Sequence, residues 1–393
     1  MTRSALVLDG RSGPALAVTR SLGRAGWRVF AGTGTRSAFS RYADDTYSLP
    51  DATDDPLAFV NAVDAAIADA AVDLVVPCTD ASAELLWANE HILRGARVLG
   101  GDRNSFELAS DKARTLAAAE EAGFPVPSWV APEDVSSARD ACAEIGLPCV
   151  VKPRRSYTAE GAGLRHRRHV FVRRLDDLES ALLSQAEPDG RLPVVQEYVP
   201  GRSLAVSAVV RQGDVIAFVA RETLSFDPIE GGTSVWKRTI PPDDVGVEAA
   251  LDLLRKVRFE GLGEVEYQVD AHGVARLMEI GARAHGWLAL AIAAGVDLPY
   301  VAAMSLLGED VQRQPRYKVG LDMRWPAGEI ARLRRALAPR AQLPPAVRRR
   351  DVIARAWPPW RPGMLYDGLT LADPGPWLPA RLRSRVRRAP ASR

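Results

Sequence analysis

Several things are scarce in this chain. Only 3 of its 393 residues are cysteine and 5 are histidine. The cysteines, Cys78, Cys142 and Cys149, are odd in number, widely spaced and without a metal-site pattern, which argues against a disulfide framework and for reduced core thiols. No apolar run approaches the roughly 20 residues that span a bilayer, and the amino end MTRSALVLDGRSG reaches Asp9 before a signal-peptide core or cleavage site can form. The expected location is therefore the cytoplasm. Repeats and low-complexity tracts are missing, and the turn GRSGPA lacks the G-x-G-x-x-G spacing of a dinucleotide fingerprint. What is present, 47% apolar and 25% charged residues, is the composition of a globular protein with room for two or three cores.

Charge is unevenly distributed. From Arg316 onward 18 Lys and Arg face 5 Asp and Glu, a balance of +13, so with +2 overall the rest of the chain carries −11. A basic end on an acidic body can pack against that body or make peripheral contact with an anionic surface. Nothing in the pattern points to nucleic acid. The oligomeric state is open, and a homodimer fits the sequence.

Hydrophobic periodicity divides the chain. ALVLDG, then SGPALAVTRSLGRAG at helical spacing, then WRVFAGTG read as a βαβ unit, and AFVNAVDAAIADAAVDLVVPCTD followed by RVLGGD repeats the pattern. Residues 1–108 are expected to form an open, mostly parallel sheet flanked by helices. SDKARTLAAAEEAGFPVPSW starts with Ser110 and Asp111 as candidate caps and ends at glycine and prolines. LPCVVKPRR and PVVQEYVPG read as strands separated by the glycine-rich turn EGAG. From residue 201 the pattern is antiparallel, with hairpin turns at QGD and DAHG. Beyond about residue 320 the text is rich in Pro, Arg and Trp without a clear period.

The second hairpin carries chemistry. Residues pair across its turn when their numbers sum to about twice the turn's centre, which places Glu266 beside Glu279. Two adjacent carboxylates repel unless a cation joins them, and Mg²⁺ takes one or two carboxylates and completes its shell with water and phosphate oxygens. Arg283, four residues after Glu279, would direct a guanidinium at the same place, suited to a phosphoryl group. Lys112 and Lys152 lie where the pattern would turn them inward, and two lysines on a polyphosphate would account for both. Gly161 and Gly163 in EGAG offer backbone amides that could cover phosphates. Lys237 and Arg238 could hold a substrate carboxylate or form a solvated pair. His285 would face an acceptor site or act as a structural histidine.

Over residues 1 to about 315 the ordered set DK…AGFPVP, VVKP, VVQEYVPG, EGGTSVWKRT, VEYQVD, LMEIGAR and GWLALAIAAGVDLP resembles the ATP-grasp superfamily of ligases. The resemblance implies an α/β fold, α+β in its catalytic part. Its pieces would be an N-terminal open parallel α/β domain (1–108), a small lid subdomain with hinge (109–200), an antiparallel catalytic and metal subdomain (201–318) and a short basic C-terminal appendage (319–393). It implies that Lys112 and Lys152 contact ATP phosphates and that the hinge Gln196, Glu197, Tyr198 and Val199 binds adenine. It also implies that Glu266 and Glu279 hold Mg²⁺ or Mn²⁺ and that Arg283 steadies the transferred phosphoryl.

The implied activity is ADP-forming ligation. A small-molecule carboxylate becomes an acyl phosphate and an amine displaces the phosphate, giving a peptide-like amide. Two departures stand out: Gly281 replaces the asparagine of E-x-N-x-R, and Ser203 stands where an acid often binds ribose. They support a competing reading, a nucleotide-binding regulator without turnover. A third reading is a carbamoyl-phosphate-synthase-like or carboxylase activity.

Overall fold

A computed structural model of the chain describes residues 2–229, 231–313, 316–338, 348–356 and 361–378. Glu230 of the EGGT loop, the WPPW stretch and the basic run Arg381–Arg393 lie outside the described residues.

The amino-terminal part holds a five-stranded, all-parallel sheet in the order β3-β2-β1-β4-β5, from β1 (Ser4–Val7), β2 (Arg28–Gly32), β3 (Asp45–Tyr47), β4 (Leu74–Val76) and β5 (Arg97–Val98). Its central strands β1 and β4 are buried throughout, as expected of a parallel sheet covered on both faces. Helices α1 (Gly13–Arg24), α2 (Pro56–Ala70) and α3 (Asp80–Ala88) start where sequence permits. Ser12, Asp55 and Thr79 each accept a hydrogen bond from a first-turn backbone N–H, and proline stands in the first turn of the first two. Next come α4 (Arg103–Ser110) and α5 (Lys112–Glu121).

The lid is a four-stranded antiparallel sheet, β10-β7-β11-β6, from β6 (Trp129–Val130), β7 (Cys149–Lys152), β10 (Val170–Val172) and β11 (Val194–Glu197), with α6 (Val135–Ile145) and α7 (Leu178–Gln185) packed on it. A hairpin of β8 (Tyr157–Glu160) and β9 (Gly163–His166) projects from it. All three cysteines are free and buried, and Cys142 and Cys149 lie 3.3 Å apart in the lid core.

The third sheet has seven strands in the order β16-β15-β12-β13-β14-β17-β18. They are β12 (Arg202–Arg211), β13 (Asp214–Asp227), β14 (Thr233–Thr239), β15 (Gly261–Val269), β16 (Ala275–Gly281), β17 (Asp322–Arg324) and β18 (Leu365–Tyr366). Two short strands from beyond residue 318 thus complete it. Strand alternation sorts its faces. Leu204, Val206, Val265, Tyr267 and Leu277 form one core with α8 (Val247–Lys256). Ala205, Val209 and Val219 turn the other way and pack with α1, α9 (Leu288–Ala293) and α10 (Leu298–Leu306). Each large apolar side chain buried this way contributes about 1.5–3 kcal/mol.

Two devices join the parts. Gly100 and Gly101 lie against Arg283 and Gly261 as backbone bridges, and a Cβ on Gly100 would come 2.6 Å from the Ala282 carbonyl oxygen, so only glycine admits this approach. The second is the segment 367–378, which leaves β18 and lies on the amino-terminal domain. There Asp373, 1% exposed, accepts from the Arg20 guanidinium (2.8 Å), the Ser40 hydroxyl (2.7 Å) and the Arg41 backbone N–H (2.9 Å). The Arg36 guanidinium stacks over Trp377.

Candidate active site

The β15–β16 hairpin is pinned at its turn. Asp270 accepts from the backbone N–H groups of His272 (2.9 Å) and Val274 (3.0 Å) and pairs with Arg276. The Arg276 bond, followed by the turn amides, brings its carboxyl down to about 2. The register runs Val269↔Ala275 to Tyr267↔Leu277, then shifts by one at Met278 so that Glu266 faces Glu279 and Glu264 faces Gly281. Without this bulge Glu266 would oppose Met278. The bulge therefore places two carboxylates side by side on one face.

Around them the same face is polar. Arg221 on β13, 2% exposed, donates to Glu264 (3.2 Å), Glu266 (2.7 Å) and Thr223, and its guanidinium lies 5.3 Å from the Trp287 ring centroid. The Trp287 indole N–H donates to Glu264. Burial, followed by the neighbouring Glu264 charge, pushes the Glu266 carboxyl well up, and Arg221 offsets this only in part. One guanidinium, Arg221, is thus shared by two carboxylates, Glu264 and Glu266, and such a set suits a further cation. Among the described residues no three His, Cys, Asp or Glu side chains form a ready metal cage. A hard ion here would take two carboxylates from the protein and the remainder from phosphate and water, as Mg²⁺ does.

Arg283 reaches the site but is already partnered: its guanidinium donates to Asp80, the first residue of α3, at 2.5 Å. Burial opposes its charge, yet Asp80 outweighs burial and holds the pKa above its ordinary value.

From the lid, Asp111 caps α5 and receives the Arg154 guanidinium through both oxygens at 2.9–3.2 Å, fastening the start of α5 to the end of β7. The Lys112 backbone N–H donates to the Arg154 carbonyl (3.0 Å), which brings Lys112 towards Lys152. Burial lowers the Lys152 ammonium to about 8, and the Lys112 charge adds to this while Glu279 and Glu266 oppose it. The two lysines and two glutamates therefore share one electrostatic neighbourhood.

The hinge residues differ from one another. Gln196 is 1% exposed and neither atom of its side-chain amide has a hydrogen-bond partner among the described residues. It lies across β7 from Val150, two residues from Lys152, hence on the lysine's face. Glu197 is taken up by Ser128, whose backbone N–H its carboxylate accepts at 3.1 Å. The Tyr198 ring meets Phe171 edge-on at 5.5 Å, and Val199 is buried. Ser203 is half-buried between Thr223 and Gln268 on the polar face.

Arg238 and the turn of Gly161 and Gly163 make other contacts than expected, and His285 takes the structural one of its two readings. Arg238 neighbours Lys237 along β14, so alternation turns it to the opposite face, where Asp322 takes it bidentately at 2.8–3.0 Å. The hairpin bearing Gly161 and Gly163 rests on the amino-terminal domain: the Leu164 N–H donates to the Thr53 carbonyl (2.8 Å), and a Cβ on Gly163 would lie 2.6 Å from that oxygen. His285, 2% exposed, bonds Ser207 at 2.6 Å and stacks on Trp287; burial, then Arg221, holds its pKa well below the ordinary range. That is a structural histidine. Lys237, by contrast, faces the site.

Comparison with known proteins decides the family. The family described as ATP-grasp in the biosynthetic pathway with Ter operon matches residues 191–329, and the ATP-grasp domain family matches residues 109–229. Together they cover more than half of the chain. The chain belongs to the ATP-grasp superfamily. Among curated proteins, this ATP-grasp chain is 26% identical over 239 residues to the carbamoyl phosphate synthase large chain of Thermomicrobium roseum, covering 59% of this chain and 21% of that one. It is 33% identical over 134 residues to the formate-dependent phosphoribosylglycinamide formyltransferase of Cronobacter sakazakii, covering 33% and 31%. It thus spans about a fifth of the first relative's length and under a third of the second's. Among solved structures, the biotin carboxylase of Campylobacter jejuni superposes with a TM-score of 0.66 at 19% identity over 82% of this chain and 74% of that one. The biotin carboxylase domain of Hydrogenobacter thermophilus 2-oxoglutarate carboxylase, in complex with MgADP and bicarbonate, gives 0.65 at 19% over 82% and 73%. The ADP complex of Staphylococcus aureus N5-carboxyaminoimidazole synthetase gives 0.62 at 15% over 82% of each chain.

Four residues close to these side chains escaped the sequence reading. Glu264 stands two positions before Glu266, so alternation alone puts it on the same face. Arg221, Asp80 and Asp367 reach the site from distant strands, helices and the carboxyl-terminal segment, and leave no periodic mark. No helix among the described residues is long and apolar enough to cross a membrane.

Proposed function

We propose that the chain is an ADP-forming carboxylate–amine ligase. The observation that supports this best is the pairing of Glu266 opposite Glu279 on the sheet, with the Lys152 ammonium within reach of both their charges and of the Lys112 charge. Such a set has few proton-transfer groups and many fixed charges, as a phosphoryl transfer catalysed by positioning requires. The lysines would hold the ATP phosphates, and Gln196 with the hinge would receive the base. Glu266 and Glu279 would hold Mg²⁺ or Mn²⁺, which supplies charge neutralisation at the β- and γ-phosphates.

In the reaction a carboxylate oxygen of the substrate attacks the γ-phosphorus, the bond to the β-phosphate oxygen breaks and ADP leaves. The acyl phosphate then receives the amine nitrogen at its carbonyl carbon; the C–O bond breaks, phosphate leaves with the electron pair, and the amine loses a proton. Arg283 would move from Asp80 to the transferred phosphoryl, where a preformed cation counters developing charge.

A second reading is favoured by the bicarbonate held in the Hydrogenobacter complex: bicarbonate as the acid activated. A regulator without turnover draws on Gly281, where an added Cβ would touch only the Glu264 Cβ, at 3.7 Å. One experiment separates all three. Hydroxylamine trapping with Mg·ATP and a panel of amino acids, other carboxylates and bicarbonate is read as ADP and hydroxamate together, with Glu279→Gln as control. Hydroxamate from the parent protein alone supports the ligase, ADP release that needs bicarbonate points to the second reading, and ATP bound without turnover to the third.

A further inference from the structure

Lys237 and Asp367 meet at the edge of the site, 130 residues apart in sequence. Lys237 rises from β14 with its side chain 2% exposed, and its ammonium donates to the Gly286 carbonyl at 2.9 Å. Its contact with the Asp367 carboxylate is 3.4 Å, longer than the 2.7–2.9 Å usual for a charge-assisted bond. An ammonium has three donors, and among the described residues the third finds no acceptor. Asp367 follows β18 directly, and its backbone N–H is fixed on the Arg324 carbonyl at 2.7 Å.

The pair borders open space. Gly286 is exposed, and a Cβ there would meet nothing within 4 Å. Gly13, the first residue of α1, is half-exposed, and a Cβ on it would meet only the two Asp367 carboxylate oxygens, at 3.9 and 4.0 Å. Open space at Gly286 and at the start of α1 therefore lies beside the pair. The pair carries one charge of each sign. Lys237 pairs with Thr223, two residues from Arg221 along β13, so it lies on the same face of the sheet as Arg221 and the Glu264 and Glu266 carboxylates that Arg221 bonds.

This pair selects among ligands by charge balance. A simple carboxylate placed on Lys237 would face Asp367 and be repelled, and a simple amine placed on Asp367 would face Lys237. A zwitterion exchanges one loose ion pair for two and brings no net charge into a half-buried place. Resting on the ligase reading above, we propose that Lys237 and Asp367 form the head-group subsite for a free α-amino acid that is the acid activated. Lys237 takes the α-carboxylate and aims it at the glutamate pair on its own sheet face. Asp367 takes the α-ammonium. Held in that ion pair the amine stays protonated and cannot act as a nucleophile, so the bound amino acid is activated without condensing with a second copy of itself.

The test uses the full-length protein and two readouts. The first is calorimetric binding of the twenty amino acids and their des-amino analogues in the presence of magnesium and a non-hydrolysable ATP analogue. The second is hydroxamate formation from the same panel. The parent is expected to bind at least one amino acid and to reject its des-amino analogue. Asp367→Asn is expected to weaken that amino acid roughly 10- to 100-fold, the scale of a lost charged hydrogen bond, with the KM for ATP unchanged and the des-amino analogue now accepted. Asp367→Glu should recover part of the loss. A merely structural Asp367 would move both KM values together and leave the discrimination intact. Because neutralising Asp367 leaves Lys237 buried without its partner, thermal melting checks that the variant is folded; if it is not, Asp367→Glu alone decides, by its amino-acid affinity relative to ATP. The proposal is overturned if the parent binds no amino acid, if des-amino acids serve equally well, or if Asp367→Asn leaves amino-acid affinity in place. Amino-acid binding that needs Asp367 without any hydroxamate would instead overturn the ligase reading and leave the subsite standing.

Discussion

On the sheet wall of the cleft Arg221 is shared by Glu264 and Glu266, Arg283 is taken by Asp80, and Lys237 lies against Asp367. On the lid wall the Gln196 amide has no partner, and among the described residues neither the Lys112 nor the Lys152 ammonium has a carboxylate in contact. The two walls are prepared in different ways. The lid carries standing deficits, a lysine whose charge is disfavoured and a buried amide without bonds, which a nucleotide can satisfy on arrival. The sheet carries internal ion pairs that must change partners before a substrate is held. Binding should therefore be read out mainly on the lid, and turnover mainly on the sheet.

The strongest way to break this contrast is Glu279→Gln. Turnover, measured as ADP release at saturating Mg·ATP, is expected to fall roughly 10²- to 10³-fold, the range for removing one preorganised electrostatic group, with nucleotide affinity much less affected. Equal losses in both would erase the distinction between walls. Next comes the pH dependence of nucleotide binding. Lys152 is cationic below about 8 and neutral above it. ATP affinity should hold below that pH and weaken above it, by at most about tenfold per pH unit for a single proton. Lys152→Arg, charged at every working pH, should flatten the curve. Calorimetric titrations at several pH values check this, and an unchanged slope in the arginine variant would remove Lys152 from the phosphates.

Asp80→Asn sharpens the comparison from the other side. Removing the competing carboxylate should free Arg283 and tighten ATP a few-fold, the effect of a partly exposed ion pair worth about 1 kcal/mol. Weaker binding would mean that Asp80 positions Arg283 rather than competing for it. The smallest effect is expected at Gln196. Replacing an unpartnered buried amide with leucine should stabilise the nucleotide-free protein by about 1 kcal/mol in urea unfolding while weakening ATP. Loss of stability would show that the amide is satisfied without nucleotide.

Much of this arrangement was legible in the sequence, and the exceptions have physical causes. The parallel amino-terminal sheet followed from apolar runs alternating with helical spacing, and the Glu266–Glu279 pairing followed from the position of the DAHG turn. The bulge at Met278 carries no signature in residue type, yet it turns near neighbours into a facing pair. Alternation along a strand would have added Glu264 and separated Lys237 from Arg238, but it was applied to neither. The carboxyl-terminal part was the hardest to read. β17 and β18 are three and two residues long, too short for any periodicity, and their place in the sheet is set by partners on β14 and on one another. Asp373 and Asp367 look like ordinary loop acids until Arg20 and Lys237 are seen beside them.

The Arg20–Asp373 pair joins residues 353 positions apart. At about 5–20 residues per second of synthesis, Arg20 leaves the ribosome on the order of 20–70 s before its carboxylate exists. During that interval the amino-terminal domain presents a cation, a serine hydroxyl at Ser40 and a backbone amide at Arg41, all shaped for an acid that has yet to be made. The surface around the first helix is thus completed only after residue 373 is made. A nascent chain halted before residue 373 should display that surface to any protease or chaperone that reads exposed amino-terminal segments, whereas the finished chain hides it.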